Sequence, residues 1–201
     1  MKIQNYKKIV GTSETFIVKI NKLNRKVKTT KINDYDNVYV SINSSIKPRA
    51  LHSIIKNTMT AIKEYKIENV DLKIIILSSE DGFNSYGLYD AIGNTVYYNE
   101  VISNKDILNR EGINIGHIER HEIYHYKQVV RYQNKFGSIT ENNYTNYIKY
   151  TIDMAKKFID RRGINKDNVS EISAYASKMF MTFRYDEVEA EIYAKKGAGH
   201  V

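Results

Sequence analysis

The stretch Gly116-His117-Ile118-Glu119-Arg120-His121-Glu122-Ile123-Tyr124-His125 contains the pattern H-E-x-x-H. Residues four apart share one face of a helix, so His121 and His125 can present their imidazoles to a single point. Glu122 follows directly and can reach a water molecule bound there. Two neutral nitrogen ligands and a basic carboxylate are typical of a catalytic zinc site. The alternative is a basic amphipathic helix with two solvated histidines, and a third ligand elsewhere in the chain would favour the metal site.

A later acidic run, Tyr185-Asp186-Glu187-Val188-Glu189-Ala190-Glu191, offers that third ligand. On a helix Glu187 and Glu191 share a face, whereas Glu189 lies about 200° around the axis from Glu187. An acidic pair of this kind is often a solvated surface. However, like charges four residues apart destabilise a helix unless a cation lies close to them. We therefore expect Glu187 to bind the metal and Glu191 to accept a hydrogen bond from a ligand imidazole.

The combination of H-E-x-x-H with a later helix carrying Glu-x-x-Ala-Glu resembles the gluzincin branch of zinc metallopeptidases. In particular, it resembles catalytic domains of the anthrax-lethal-factor type and similar domains of bacteriophage head-morphogenesis proteins. The likeness covers roughly residues 70–196, and Ser173-Ala174-Tyr175-Ala176 stands where those domains carry Ser-x-Tyr-Ala or Ser-Tyr-Gly. Twelve residues separate Tyr175 from Glu187, several more than in that pattern. The alternatives are that a longer loop absorbs them, that Tyr185 takes the role of Tyr175, or that no tyrosine does.

The resemblance implies one Zn²⁺ per chain and a role for each matching residue. Glu122 would be the general base, and Tyr175 would donate a hydrogen bond to the oxyanion of the transition state. The implied ligands are His121, His125 and Glu187, with Glu191 bonded to a ligand. His117 lies one turn before His121, but three ligands along one helix span about 12 Å, too far for one tetrahedral centre. We expect His117 to lie near the cleft or at the start of the helix.

The order of the predicted elements, strands first and helices later, indicates an α+β fold. We expect a zincin-like domain, 1–201, in which a small mixed sheet packs on the H-E-x-x-H helix and a helical C-terminal part follows. Its parts are a basic β segment (1–45), the sheet and active-site helix (46–137) and the helical part with the third ligand (138–201). The predicted strands are 15–20, 25–30, 38–42, 72–77, 87–91 and 94–98, and the predicted helices are 48–65, 103–109, 113–136, 141–162, 169–180 and 185–196.

The hairpin 87–98 has a predicted part in substrate binding. Its second strand carries Val96, Tyr97 and Tyr98. If that strand lies at the sheet edge beside the cleft, an extended peptide can pair with it by β-addition.

Charge and composition limit the other classes of function that the chain could have. The chain of 201 residues has no cysteine, which excludes disulfides and thiolate-bound metals. Residues 1–31 hold nine basic residues and one acidic residue, so they account for the whole net charge of +8. This segment is either a solvated hairpin face or an arm for an anionic partner. We see no signal peptide and no membrane span, and expect a cytoplasmic or virion-associated protein without membrane contact.

The sequence therefore predicts a zinc-dependent metallopeptidase that hydrolyses peptide bonds of a protein or peptide substrate, with Glu122 acting on a zinc-bound water. One alternative is a phage or prophage assembly protein with a degenerate metallopeptidase fold and a nucleic-acid-contacting N-terminus. Another is a toxin-like effector protease that cleaves one host protein.

Overall fold

The computed structural model describes residues 28–31, 37–42, 47–77, 85–163 and 185–196. The architecture is mixed α/β, with one five-stranded sheet. In chain order the elements are β1 (Lys28–Lys31), β2 (Asn37–Ile42), α1 (Pro48–Glu64), β3 (Asp71–Leu77), β4 (Gly87–Asp90), β5 (Thr95–Asn99), α2 (Lys105–Arg110), α3 (His117–Phe136), α4 (Tyr144–Arg161) and α5 (Tyr185–Lys196). Short 3₁₀ turns span Glu100–Ser103 and Glu141–Asn143.

The sheet has the strand order β1-β2-β3-β5-β4. The three inner strands β2, β3 and β5 run parallel, whereas β1 and β4 are antiparallel to their neighbours. The sheet is therefore mixed, as the sequence predicts. Helix α1 connects the parallel neighbours β2 and β3, and Pro48 stands at its first turn, where the missing backbone N–H costs nothing.

The predicted edge strand at Val96, Tyr97 and Tyr98 is wrong. These residues lie in β5, which pairs with β3 on one side and with β4 on the other. All three are buried, with exposed fractions of 0%, 2% and 0%. Among the described strands β4 pairs with β5 alone and therefore takes the outer position in the sheet.

Helix α3 packs across the sheet and carries the H-E-x-x-H pattern. Ile123 and Tyr124 on this helix are fully buried in a core that includes Ile74 and Ile76 of β3. The helix begins at His117, later than the predicted start near 113, because Gly116 has a left-handed backbone with φ of 80°. It ends at Gly137, which also has a positive φ.

Helix α5 lies along α3 and joins the C-terminal part of the chain to the core. Ala190 is buried at the contact, and the ring of Tyr193 stacks on Tyr124 with 4.3 Å between centroids. Val188 and Ile192 pack with Ile159 of α4. The small side chain at 190 lets the two helices approach closely, which brings the acidic residues of α5 to the histidines of α3.

Several predictions fall on residues outside the described ranges. They are the strands within 15–27, the helix 169–180 and Tyr175. Among the described helices, none has both the length and the apolar composition needed to cross a membrane.

Candidate metal centre

The two histidines of α3 and Glu187 of α5 bring three donor atoms together. Nε2 of His121 and Nε2 of His125 are 3.2 Å apart. Oε2 of Glu187 lies 3.2 Å from the first nitrogen and 3.0 Å from the second. Zinc bonds of about 2.0–2.1 Å in a tetrahedral site place neighbouring ligand atoms about 3.3 Å apart. The spacing of the three atoms therefore fits a zinc ion, and among the described residues this is the cluster that suits a metal.

Each histidine is held through its other ring nitrogen. Nδ1 of His121 lies 3.3 Å from Oε2 of Glu191, as the sequence predicts for this carboxylate. Nδ1 of His125 lies 2.9 Å from Oε1 of Gln128. Because a carboxylate and an amide oxygen only accept hydrogen bonds, both Nδ1 atoms are the donors. In the neutral imidazoles the lone pairs are then on the Nε2 atoms, which face each other and Glu187.

The orientation of Gln128 is determined by its other contacts. Its Nε2 donates to the backbone carbonyl of Asp186 at 3.1 Å and to Oε2 of Glu189 at 3.0 Å. Two acceptors on that side leave the amide oxygen for His125. Gln128 is not among the residues predicted from the sequence, although its place three residues after His125 is the helical spacing that would have indicated it.

The charges at the cluster reflect the same geometry. Burial lowers the pKa of His121, but its hydrogen bonds to Glu187 and Glu191 outweigh this and hold the pKa well above the usual value. Burial raises the pKa of Glu187, yet the charges and hydrogen bonds of His125 and His121 bring it well below the usual value. Three electron-pair donors in contact require a positive charge between them. The raised pKa values of His121 and His125 favour protons at this point, where a bound divalent cation would replace them.

His117 contributes to the centre in an unexpected way. Its Nε2 lies 2.9 Å from the same Oε2 of Glu191 that contacts His121. His117 is buried at the first turn of α3, which fits the prediction of a helix-start residue near the cleft. It therefore holds Glu191 in place and is outside the group of three donors.

Glu122 lies on the neighbouring face of α3, against the sheet. It is 8% exposed, and its side chain passes over Gly87, the first residue of β4. Burial raises the pKa of Glu122, opposed in part by the charges of His121 and His125. A buried carboxylate with a raised pKa beside the three donor atoms is a stronger base than an exposed glutamate.

Glu189 is directed away from the three donor atoms but also faces α3. Its Oε1 accepts a hydrogen bond from the hydroxyl of Tyr124 at 2.8 Å and lies 3.5 Å from Nη1 of Arg131. Glu189 therefore holds α5 against α3 and is not a metal ligand.

Tyr175, the residue predicted to donate a hydrogen bond to the oxyanion, lies outside the described residues. The alternative, Tyr185, is partly buried and packs against the apolar cluster of Ile159, Val188 and Ile192.

Comparison of the chain with protein-family models, with curated proteins and with solved structures gives no match. The assignment of a function therefore rests on the residues of the centre and their geometry.

Proposed function

We propose that the protein is a zinc-dependent metallopeptidase of the gluzincin type with a zincin-like fold. The observation that carries the proposal is the convergence of His121, His125 and Glu187, with the lone pairs of both imidazoles directed at one point. Glu122 lies beside them and is largely buried from solvent. Two histidines and a glutamate are a known set of ligands for catalytic zinc, and they leave one coordination position open.

The donor set suits zinc in its chemistry as well as its spacing. Imidazole nitrogens favour zinc over magnesium and calcium, which prefer oxygen ligands alone. The hydrogen bonds from the Nδ1 atoms to Glu191 and Gln128 fix the rings and raise their basicity. A zinc ion bound there would act as a Lewis acid toward a peptide carbonyl and toward water.

Glu122 supplies the proton transfers of the proposed hydrolysis. Its carboxylate takes a proton from the water whose oxygen attacks the carbonyl carbon. It then gives that proton to the nitrogen as the C–N bond breaks, so that the products are a carboxylic acid and an amine. The raised pKa of Glu122 makes its carboxylate a stronger base than an exposed glutamate, so the first transfer is easier.

The free edge of β4 is the proposed binding strand, in place of β5. Gly87–Asp90 pairs with β5 on one side, and no described strand pairs with its other side. Glu122 packs on Gly87, so a peptide added to this edge would run past the base. Amide exchange at 87–90 should slow when a peptide inhibitor binds, and unchanged exchange would count against this strand.

The experiment that tests the proposal measures zinc per chain and peptide hydrolysis in the same preparations. We expect about one zinc per chain in the wild type, retained by Glu122→Gln and lost by Glu187→Gln. Both variants should lose hydrolysis, because the first lacks the base and the second lacks the metal. Glu141→Gln, at an exposed position in the turn before α4, is the matched control and should keep zinc and activity.

The other outcomes separate the alternatives that the sequence leaves open. Bound zinc with no hydrolysis of any peptide, together with salt-dependent DNA binding, would favour the assembly protein. Cleavage of one host protein and of no general peptide would favour the effector protease. Absence of zinc from the wild type after reconstitution would overturn the proposal.

A further inference from the structure

The edge strand and the helix of the metal centre touch at a glycine. Gly87 and Tyr89 lie on the same face of β4, since alternate residues of a strand share a face. Tyr89 packs on Tyr126 of α3, with 5.9 Å between ring centroids. Gly87 therefore also faces α3, and there it meets the side chain of Glu122.

No side chain fits at position 87 without displacing its neighbours. A Cβ atom on Gly87 would lie 2.7 Å from Oε1 and 2.8 Å from Cγ of Glu122, and 2.9 Å from Cγ2 of Ile118. Carbon atoms in van der Waals contact are about 3.5–4.0 Å apart. Because Cγ is the second carbon of the Glu122 side chain, relief of the clash requires a different rotamer at χ1. A small rotation of the carboxylate alone is not sufficient.

We propose that Gly87 is a positioning residue for Glu122. The absent side chain leaves the space in which the Glu122 carboxylate is held between α3 and β4, next to His121 and His125. The inference rests on the proposed function, since it concerns the placement of the base. Gly87 belongs to β4, the proposed binding strand. It affects the position of the Glu122 carboxylate and does not contact the three donor atoms.

The steric contact is tested by thermal unfolding, which is independent of any activity. Gly87→Ala should lower the Tm of the wild type by about 2–10 °C. In a Glu122→Ala background the same change should lower it by less than half as much, because Oε1 and Cγ are gone and only Ile118 remains close. Leu88→Ala, on the opposite face of β4, is the control and should have equal effects in both backgrounds.

A Gly87→Ala protein that unfolds, alongside a folded double variant with Glu122→Ala, also supports the contact. Equal losses of Tm in the two backgrounds would overturn it, as would failure of both proteins to fold.

The functional part is tested by zinc content and hydrolysis. Gly87→Ala should keep zinc as in the wild type and lower kcat about 100-fold, the order of loss that follows a small misplacement of a reacting group. In the Glu122→Ala background it should cause no further loss of the residual rate. Equal fold-losses of kcat in both backgrounds would mean that Gly87 affects the structure of β4 and does not position Glu122. That result would overturn the proposal.

The two failures are distinguishable. A wild type that binds zinc and hydrolyses no peptide contradicts the proposed function, while the Tm comparison still decides whether Gly87 and Glu122 are in steric contact.

Discussion

Nδ1 of His125 lies 2.9 Å from Oε1 of Gln128, one turn further along α3. The same amide group of Gln128 donates to the carbonyl of Asp186, the residue before Glu187. One side chain thus orients a histidine of α3 and fixes the segment of α5 that carries the third donor. The two helices are linked at the centre by a group that binds no metal itself.

Gln128→Ala should weaken zinc binding about 10–100-fold without removing a ligand, because His125 loses the acceptor that orients it. The dissociation constant is measured by competition with a chelator. Gln133→Ala is the matched control. Gln133 lies on the same helix in a surface groove away from the three donors, so this variant should bind zinc as the wild type does. Equal affinities for Gln128→Ala and the wild type would show that His125 needs no orienting partner.

Zinc binding at neutral pH should release protons. Against the effect of burial, hydrogen bonds to Glu187 and Glu191 hold the pKa of His121 well above its usual value. The charge of Glu187 likewise outweighs burial and raises the pKa of His125, so both imidazoles bind protons more tightly than free histidine does. A ligand imidazole must lose its Nε2 proton, so about one to two protons should leave per zinc, and the affinity should fall as the pH is lowered. Calorimetry in buffers of different ionisation enthalpy measures the number.

Glu187→Gln provides the comparison for that measurement. Because this variant is expected to lose zinc, metal added to it should release few or no protons, and any heat or proton release that it shows is unrelated to binding at the centre. Proton release near zero in the wild type at pH 7 would contradict the charge state described for the centre.

Much of the centre follows from the sequence because its residues obey helical spacing. His121, Glu122 and His125 lie within one turn, and Glu187 and Glu191 are separated by the same four residues. The structure brings donor atoms of His121 and His125 to Glu187 and places Glu191 within hydrogen-bond distance of His121. Periodicity within an element is sufficient for such predictions.

The contacts that the sequence did not reveal join separate elements. The position of β5 inside the sheet depends on which neighbour β3 takes, and local alternation does not specify that. The contact of Gly87 with Glu122 depends on how closely β4 approaches α3. Helical spacing separates Glu189 from Glu187 on α5, but the bond of Glu189 to Gln128 depends on the packing of two helices.

Glu119 should make the stability of the protein fall as the pH rises from acidic to neutral. Its side chain is 1% exposed, Asn57 donates to Oε1 at 2.9 Å, and no described residue forms a hydrogen bond with Oε2. Burial raises the pKa of Glu119 to about 7. Since the folded-state pKa lies above the unfolded value, this group stabilises the fold at low pH, and the stabilisation is lost between about pH 4.5 and pH 7.

Glu119→Gln removes that titration and keeps an oxygen for Asn57. Between pH 5.5 and pH 8 the wild type should lose about 2 kcal/mol more unfolding free energy than this variant. Urea titrations of metal-free protein at the two pH values provide the comparison. Glu141→Gln, at an exposed position, should follow the wild type, and parallel pH dependences for Glu119→Gln and the wild type would contradict the role of Glu119.

Glu189→Ala should destabilise the packing of α5 on α3 and spare the three metal donors. The carboxylate is 1% exposed and accepts hydrogen bonds from Tyr124 and Gln128 beside the charge of Arg131. Its removal leaves buried donors without an acceptor, so the free energy of unfolding should fall by about 2–4 kcal/mol. Tyr124→Phe keeps the ring and removes one bond, and should cost about 1 kcal/mol. If the two variants cost the same, Glu189 would be acting through the single bond to Tyr124, and its contacts with Gln128 and Arg131 would contribute nothing measurable.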